Sequence, residues 1–324
     1  MSAPTLSTSG KPVRSPHGDG PPPQARHAAF VRGLRRNLSA HGFLIGAVLC
    51  FAFFSWYPMV REFFLAFQKT ETGRTTWVGL DNLEYVFHDP AFWQAWRNTL
   101  LFSALALVLG FAVPFVIALV INEFRHAQGY LRLLVYLPVM LPPVASVLLF
   151  KYFYDPGYGL FNGILHFLHL PEQQWLQSTG TAMLSVVVAA TWMNMGGATL
   201  IYLAALQGIP GELYEAAELD GAGLFRKIWH VTIPQTRLIL SLLLLMQIIS
   251  TMQVFTEPFL LTNGAGPEGS TTTVVYLIYQ YAFNFNNYGG AAALGLVLLV
   301  LLAGFSALYV RLSRDSDSDS DSES

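Results

Sequence analysis

The sequence predicts an all-α membrane protein with six transmembrane helices, on three observations. Of 324 residues, 53% are hydrophobic and only 12% charged, about half the charged fraction of a soluble domain, and the mean hydropathy is +0.44. Six segments are each long and apolar enough to supply the roughly 20 residues that cross a hydrocarbon core. Lysine and arginine concentrate on one side of those segments, as a membrane topology requires. The net charge of −2, with no concentration of Lys and Arg, excludes a nucleic-acid interface. The single cysteine, Cys50, excludes a disulfide framework or a Cys-based zinc site. Lying in an apolar run, it reads as a small buried apolar residue.

The spans fall near residues 42–66, 98–121, 132–153, 181–205, 237–261 and 288–310, within one membrane domain of residues 41–312. The third carries Pro138, Pro142 and Pro143. Prolines are tolerated in a membrane helix when neighbours satisfy the freed carbonyls, so this is either a packing kink or a flexible element facing a pathway. Of the 18 Lys and Arg residues, 13 fall on one side, six of them before the first span, and the loops near 154–180 and 262–287 hold none. Both termini are therefore expected in the cytoplasm. Some forty residues precede the first span and no small-residue cleavage site follows it, so it does not read as a cleaved signal peptide.

Residues 1–40 read as a disordered basic tail, rich in Pro, Gly and Ser, with arginines near the membrane that touch anionic headgroups. Residues 313–324 alternate acid and serine, a self-repelling run expected to stay solvated and disordered. The 68–97 loop holds Trp77, Phe87, Phe92, Trp93 and Trp96. It suits an interfacial aromatic belt with a short helix lying on the membrane.

Between the fourth and fifth spans lies a loop of residues 206–236, long for a helix–helix connection. Pro210 and Gly211 end the fourth span, residues 212–220 are good helix formers, and Leu213, Ala216, Ala217 and Asp220 recur at helical spacing on one face. Two alanines there give a smooth surface that a partner's groove can approach. Gly221 suits the left-handed turn that ends a helix. A second short helix is expected from 223 to about 232, with Pro234 breaking the chain before the fifth span.

Polar side chains in the spans are few: Asn194 in the fourth, and Gln247, Gln253, Thr256 and Glu257 in the fifth. They serve either as glue between helices or as hydroxyl-recognising groups along a path, since amides both donate and accept. Gln247 and Gln253 do not share a helical face, so only part of the set is expected on one path. No buried ionisable relay is visible, no phosphate-binding loop with its lysine, and no catalytic or metal motif.

Glu215-Ala216-Ala217, three residues, Gly221, nine residues and Val231-Thr232-Ile233-Pro234 resemble the EAA motif of ABC importer permeases, E-A-A-x3-G-x9-I-x-L-P. The departures are Val231 for Ile and Ile233 for Leu. The resemblance covers residues 40–312 and implies a type I importer permease architecture. The loop is then a coupling helix seated in a separate ATPase, with Glu215, Ala216, Ala217, Asp220, Gly221 and Pro234 as its motif residues. Val78–Leu83, Asp89–Trp93 with Asn98-Thr99, and Phe255–Pro258 with Leu261–Gly264, Thr272, Thr273 and Tyr276 resemble the sugar and glycerol-3-phosphate branch. That resemblance implies a bacterial plasma-membrane subunit working with a homologous second permease, two ATP-binding subunits and an extracytoplasmic solute-binding protein. ATP and Mg then belong to the partner ATPase, and this chain binds no cofactor or metal. The rival readings are a stand-alone secondary transporter or channel, which calls for an inverted repeat, an intramembrane enzyme, which calls for a catalytic dyad, and an assembly scaffold.

Overall fold

In the computed structural model the described residues are 42, 44–71, 74–124 and 126–321, with side chains described as far as Arg311. The 1–40 tail lies outside them. The chain divides into two compact units, Met1–Arg61 and Glu62–Ser324. The described part of the first unit is helical and belongs to α1 (Leu44–Leu65). Its side chains, Cys50 included, are almost all exposed, so the expectation of a buried cysteine fails: this helix turns its apolar surface outward.

Inside α1, Ala52–Trp56 form a π turn closed by Tyr57 N–H to the Ala52 carbonyl. It stands immediately before Pro58, whose ring would collide with the carbonyl four residues back. Widening the turn moves that carbonyl aside.

After α1 comes an element the all-α reading omits, an antiparallel hairpin of β1 (Gln68–Glu71) and β2 (Arg74–Trp77). The β-branched Thr70, Thr75 and Thr76 lie in these strands, a local strand signal. There follow α2 (Asp81–His88) and α3 (Pro90–Glu123). Asp89 caps α3 by accepting from Ala91 N–H at 2.8 Å, with Pro90 at the first helical position. That cap starts the second span eight residues before the expected 98.

The third span is broken. Helices α4 (Gln128–Met140) and α5 (Pro143–Phe153) meet at 97°. Pro143 can start a helix but cannot continue one, and Pro142 precedes it in extended backbone. Among the described residues, five helices are therefore long and apolar enough to span alone, or six if the bent pair counts as one.

A short α6 (Leu160–Phe167) leads to α7 (Ala182–Gln207), the central helix. Against it α4 packs so closely that a Cβ on Gly196 would lie 2.7 Å from the Val135 carbonyl oxygen. Then come α8 (Gly211–Leu219), α9 (Leu224–Met252), α10 (Thr256–Leu261), α11 (Val274–Tyr279) and α12 (Tyr288–Asp321).

Further boundaries differ from expectation. The fifth span runs unbroken from Leu224 to Met252 and stops there, so Thr256 and Glu257 belong to α10 instead. The last helix keeps its backbone to Asp321, into the run read as disordered; extending a formed helix adds a bond per residue without a new nucleus.

Within the second unit the core forms three clusters. Phe92, Trp96, Tyr281 and Leu294 centre one, Phe150, Val186 and Met193 another, and Ile121, Tyr202 and Leu206 the third, at the α8 end. Outward Leu, Val and Phe side chains such as Leu100, Val108, Leu148 and Val300 are exposed, as lipid-facing positions must be.

Candidate functional site

Two features concentrate the polar chemistry: the helical hairpin of α8 and the start of α9, and a cavity among α3, α7, α9 and α10. The hairpin owes its shape to Gly221. Its φ is +72°, and a Cβ there would meet nothing within 4 Å, so the requirement is one of backbone conformation alone. Gly221 N–H bonds the Glu218 carbonyl and Ala222 N–H the Ala217 carbonyl, both at 2.9 Å, the paired closure of a Schellman cap.

Beyond the turn, α9 continues through Pro234. The expected break is absent because a second π turn, Ile228–Thr232, precedes this proline and is closed by Ile233 N–H to the Ile228 carbonyl. The device is the one that precedes Pro58.

Tyr214 and Ala217 are half-buried toward α9, whereas Leu213, Glu215, Ala216 and Asp220 are exposed. Most of the small-residue face therefore looks outward, with Ala217 at its edge. Glu215 also lines a cavity of about 290 Å³ with Asn122, Glu123, Glu218 and Lys227. Sequence reasoning passed over the large apolar groups beside it. Leu219 is 90% exposed, Phe225 86% and Trp229 70%. Large apolar side chains left this exposed suit a protein or membrane contact. The four-residue spacing of the two aromatics, in a segment otherwise rich in charge, was the available signal.

The second feature is a cavity of about 240 Å³. It brings together all five polar residues singled out from the sequence: Asn194, Gln247, Gln253, Thr256 and Glu257. The helical-face objection to Gln247 and Gln253 sharing one lining fails because α9 ends at Met252. Gln253 is its C-cap (φ −103°, ψ 14°), and the chain then turns back beside Asn194.

The Gln247 amide donates to the Ala106 carbonyl at 3.3 Å. Asn194 donates to the Ala190 carbonyl at 2.9 Å and to Glu257 Oε1 at 3.3 Å, and Gln253 to the Ile249 carbonyl at 3.1 Å. Protein acceptors thus hold the amide N–H groups. The side-chain oxygens of Asn194, Gln247 and Gln253 accept from no described residue and remain available to hydroxyl donors. Gly110 makes room for Gln247: a Cβ there would lie 2.6 Å from its Nε2.

At the end of the unit away from α8, the 262–273 loop is pinned in place. Asn98 Nδ2 donates to the carbonyls of Gly269 (2.7 Å) and Thr272 (3.0 Å), and Val274 N–H donates to Thr99 Oγ1 (2.9 Å). Gly264, at φ +90°, lies under the Tyr276 ring, where a Cβ would come within 2.1 Å of a ring atom. No group of three or more His, Cys, Asp or Glu side chains suited to a metal occurs among the described residues.

A multi-span helical bundle with a capped helix displayed at one end and a polar cavity in its middle is the form of a membrane transport subunit. Residues 110–317 match the family described as "Binding-protein-dependent transport system inner membrane component", and the chain belongs to that family.

Among curated relatives, the probable ABC transporter permease protein YurN of Bacillus subtilis (strain 168) is 33% identical over 275 residues, covering 83% of this chain and 94% of its own length. The trehalose/maltose transport system permease protein MalF of Thermococcus litoralis (strain ATCC 51850 / DSM 5473 / JCM 8560 / NS-C) is 32% identical over 259 residues, covering 79% and 87%. A solved bacterial ABC transporter involved in import of the acidic polysaccharide alginate has a chain matching with TM-score 0.73 and 26% identity, covering 87% of this chain and 99% of its own. The protein is thus a multi-pass inner-membrane component of a binding-protein-dependent ABC transport system, a permease rather than an enzyme.

Proposed function

We propose that this chain is the permease subunit of an ATP-driven importer for a carbohydrate-type solute, an oligosaccharide, a sugar or glycerol-3-phosphate. An extracytoplasmic binding protein delivers the solute, and a second, homologous permease completes the path across the bacterial plasma membrane. One of two ATP-binding subunits docks on the α8 hairpin, which faces the cytoplasm together with both termini, and the pair carries the ATP and Mg. Nucleotide then biases a two-state equilibrium between inward- and outward-facing packings.

The observation that carries this reading is the displayed α8 hairpin: a capped helix with small residues outward, rimmed by exposed Leu219, Phe225 and Trp229. Its motif residues Glu215, Ala216, Ala217, Asp220, Gly221 and Pro234 occupy that hairpin. The cavity supports the carbohydrate class, since unpaired amide oxygens beside Thr256 and Glu257 suit a ligand dense in hydroxyl groups. Relatives whose names mention trehalose, maltose and alginate point the same way.

The test is gentle detergent extraction of the tagged chain from its native membrane, with partners identified by mass spectrometry. Recovery of a P-loop ATPase and a second six-span protein supports the reading. A stable assembly with no nucleotide-binding chain overturns it in favour of a stand-alone secondary transporter.

A further inference from the structure

The α8 hairpin is joined to the spans on either side of it, and the two joints differ. Toward α7 the link is Gly208, Ile209 and Pro210, with Pro210 in extended backbone (φ −58°, ψ 131°). Toward α9 there are cross-links. Both side-chain hydrogen bonds that α8 makes beyond itself go that way: the Tyr214 hydroxyl to Thr232 Oγ1 at 3.0 Å, and Lys227 Nζ to Glu218 Oε1 at 2.8 Å. Tyr214 and Glu218 stand one turn apart on α8. Their partners bracket the π turn, Lys227 just before it and Thr232 as its last residue.

From Lys227 to Gln247, α9 runs twenty residues, about 30 Å. At its far end Gln247 and Gln253 line the polar cavity. The hairpin is therefore fastened to the helix that forms the cavity wall and only strung to α7.

We propose that Lys227, through Glu218, positions α8 on α9, so that displacement of α8 by the ATPase is delivered along the fifth span to the polar cavity. This rests on the reading of α8 as the ATPase-docking helix. The pair is too exposed to matter much for folding, with Glu218 62% exposed, so its loss appears in coupling rather than in stability. Lys227 also stands over a cavity lined by the carboxylates of Glu123, Glu215 and Glu218. Reversing its charge leaves that lining with no basic side chain and loosens the seating of the hairpin on α9.

The test uses the complex that purifies with the tagged chain, carrying Cys50→Ser and Gln253→Cys as the parent background. The readout is the rate at which a maleimide labels the cavity cysteine, with and without ATP plus vanadate, alongside recovery of the ATPase. The parent is expected to show a nucleotide-dependent change of at least about fivefold, the low end of ordinary coupling. Lys227→Glu and Glu218→Lys should each abolish that change while the ATPase is still recovered. The combined exchange E218K/K227E should restore it, and Lys227→Arg should match the parent. Full nucleotide response in the single variants, or a double exchange no better than either single, overturns the proposal. A parent complex lacking any ATPase overturns instead the docking reading beneath it.

Discussion

Replacing Gly221 by alanine isolates the contribution of one backbone conformation. The residue sits at φ +72° with open space where a Cβ would go, so alanine meets no clash and loses only the left-handed preference, about 1–2 kcal/mol. The strain acts only when the Schellman turn is closed. α8 has nine residues, fewer than the roughly 12–15 an isolated helix needs, so a weakened cap lowers the fraction of hairpin ready to dock. An apparent affinity falls by the competent fraction, and 1–2 kcal/mol is a factor of about 5–30. Asparagine, which tolerates the left-handed region, should lose less than alanine. Proline should lose most, because it also removes the N–H bonded to Glu218 and fixes φ near −65°; Gly221→Pro is expected to uncouple or disassemble the complex with the membrane fold largely intact. The assay is titration of the purified ATPase onto each variant in detergent, with Kd read from fluorescence anisotropy. An alanine variant binding within twofold of wild type, or an asparagine variant weaker than alanine, would refute the reasoning, as would solute-stimulated ATP turnover unchanged in the proline complex.

Three further outcomes are expected. Gly110→Ala pushes Gln247 off the Ala106 carbonyl, and should reduce solute uptake into proteoliposomes while ATPase recovery is unchanged. Gly196→Val drives side-chain atoms into the Val135 carbonyl at the α4–α7 crossing; overpacking of this kind costs about 1–3 kcal/mol, to be read as a lower Tm in detergent. Asn98→Ala removes the donor to the Gly269 and Thr272 carbonyls. Each buried acceptor left unpaired costs about 1–3 kcal/mol, so amide exchange across 262–273 should accelerate.

The spans were legible because apolar runs of sufficient length have few other uses, and the α8 turn because Gly221 follows a run of good helix formers. What escaped the sequence was everything that depends on how a helix is interrupted. Pro58 and Pro234 each sit behind a π turn, which no residue type announces, and so Pro234 read as a break. Pro142 and Pro143 showed that the third span is disturbed, but the 97° bend depends on packing against α7. The cavity was half legible. Its five polar residues were conspicuous in an apolar context, yet periodicity assumes an unbroken helix, and the stop at Met252 is what brings Gln253, Thr256 and Glu257 round to Asn194. The β-hairpin was missed because four-residue strands give little period to detect.

Glu257 places a carboxylate in the polar cavity. Among the described residues its carboxylate is the one charged group in the lining, with no lysine, arginine or histidine beside it. An anionic group brought within about 6 Å of it, at an effective dielectric constant of about 20, is repelled by about 3 kcal/mol, a discrimination of roughly a hundredfold. Hydroxyls face no such barrier and gain an acceptor in the carboxylate. At this position, on this chain's side, a hydroxyl is therefore favoured over an anionic group.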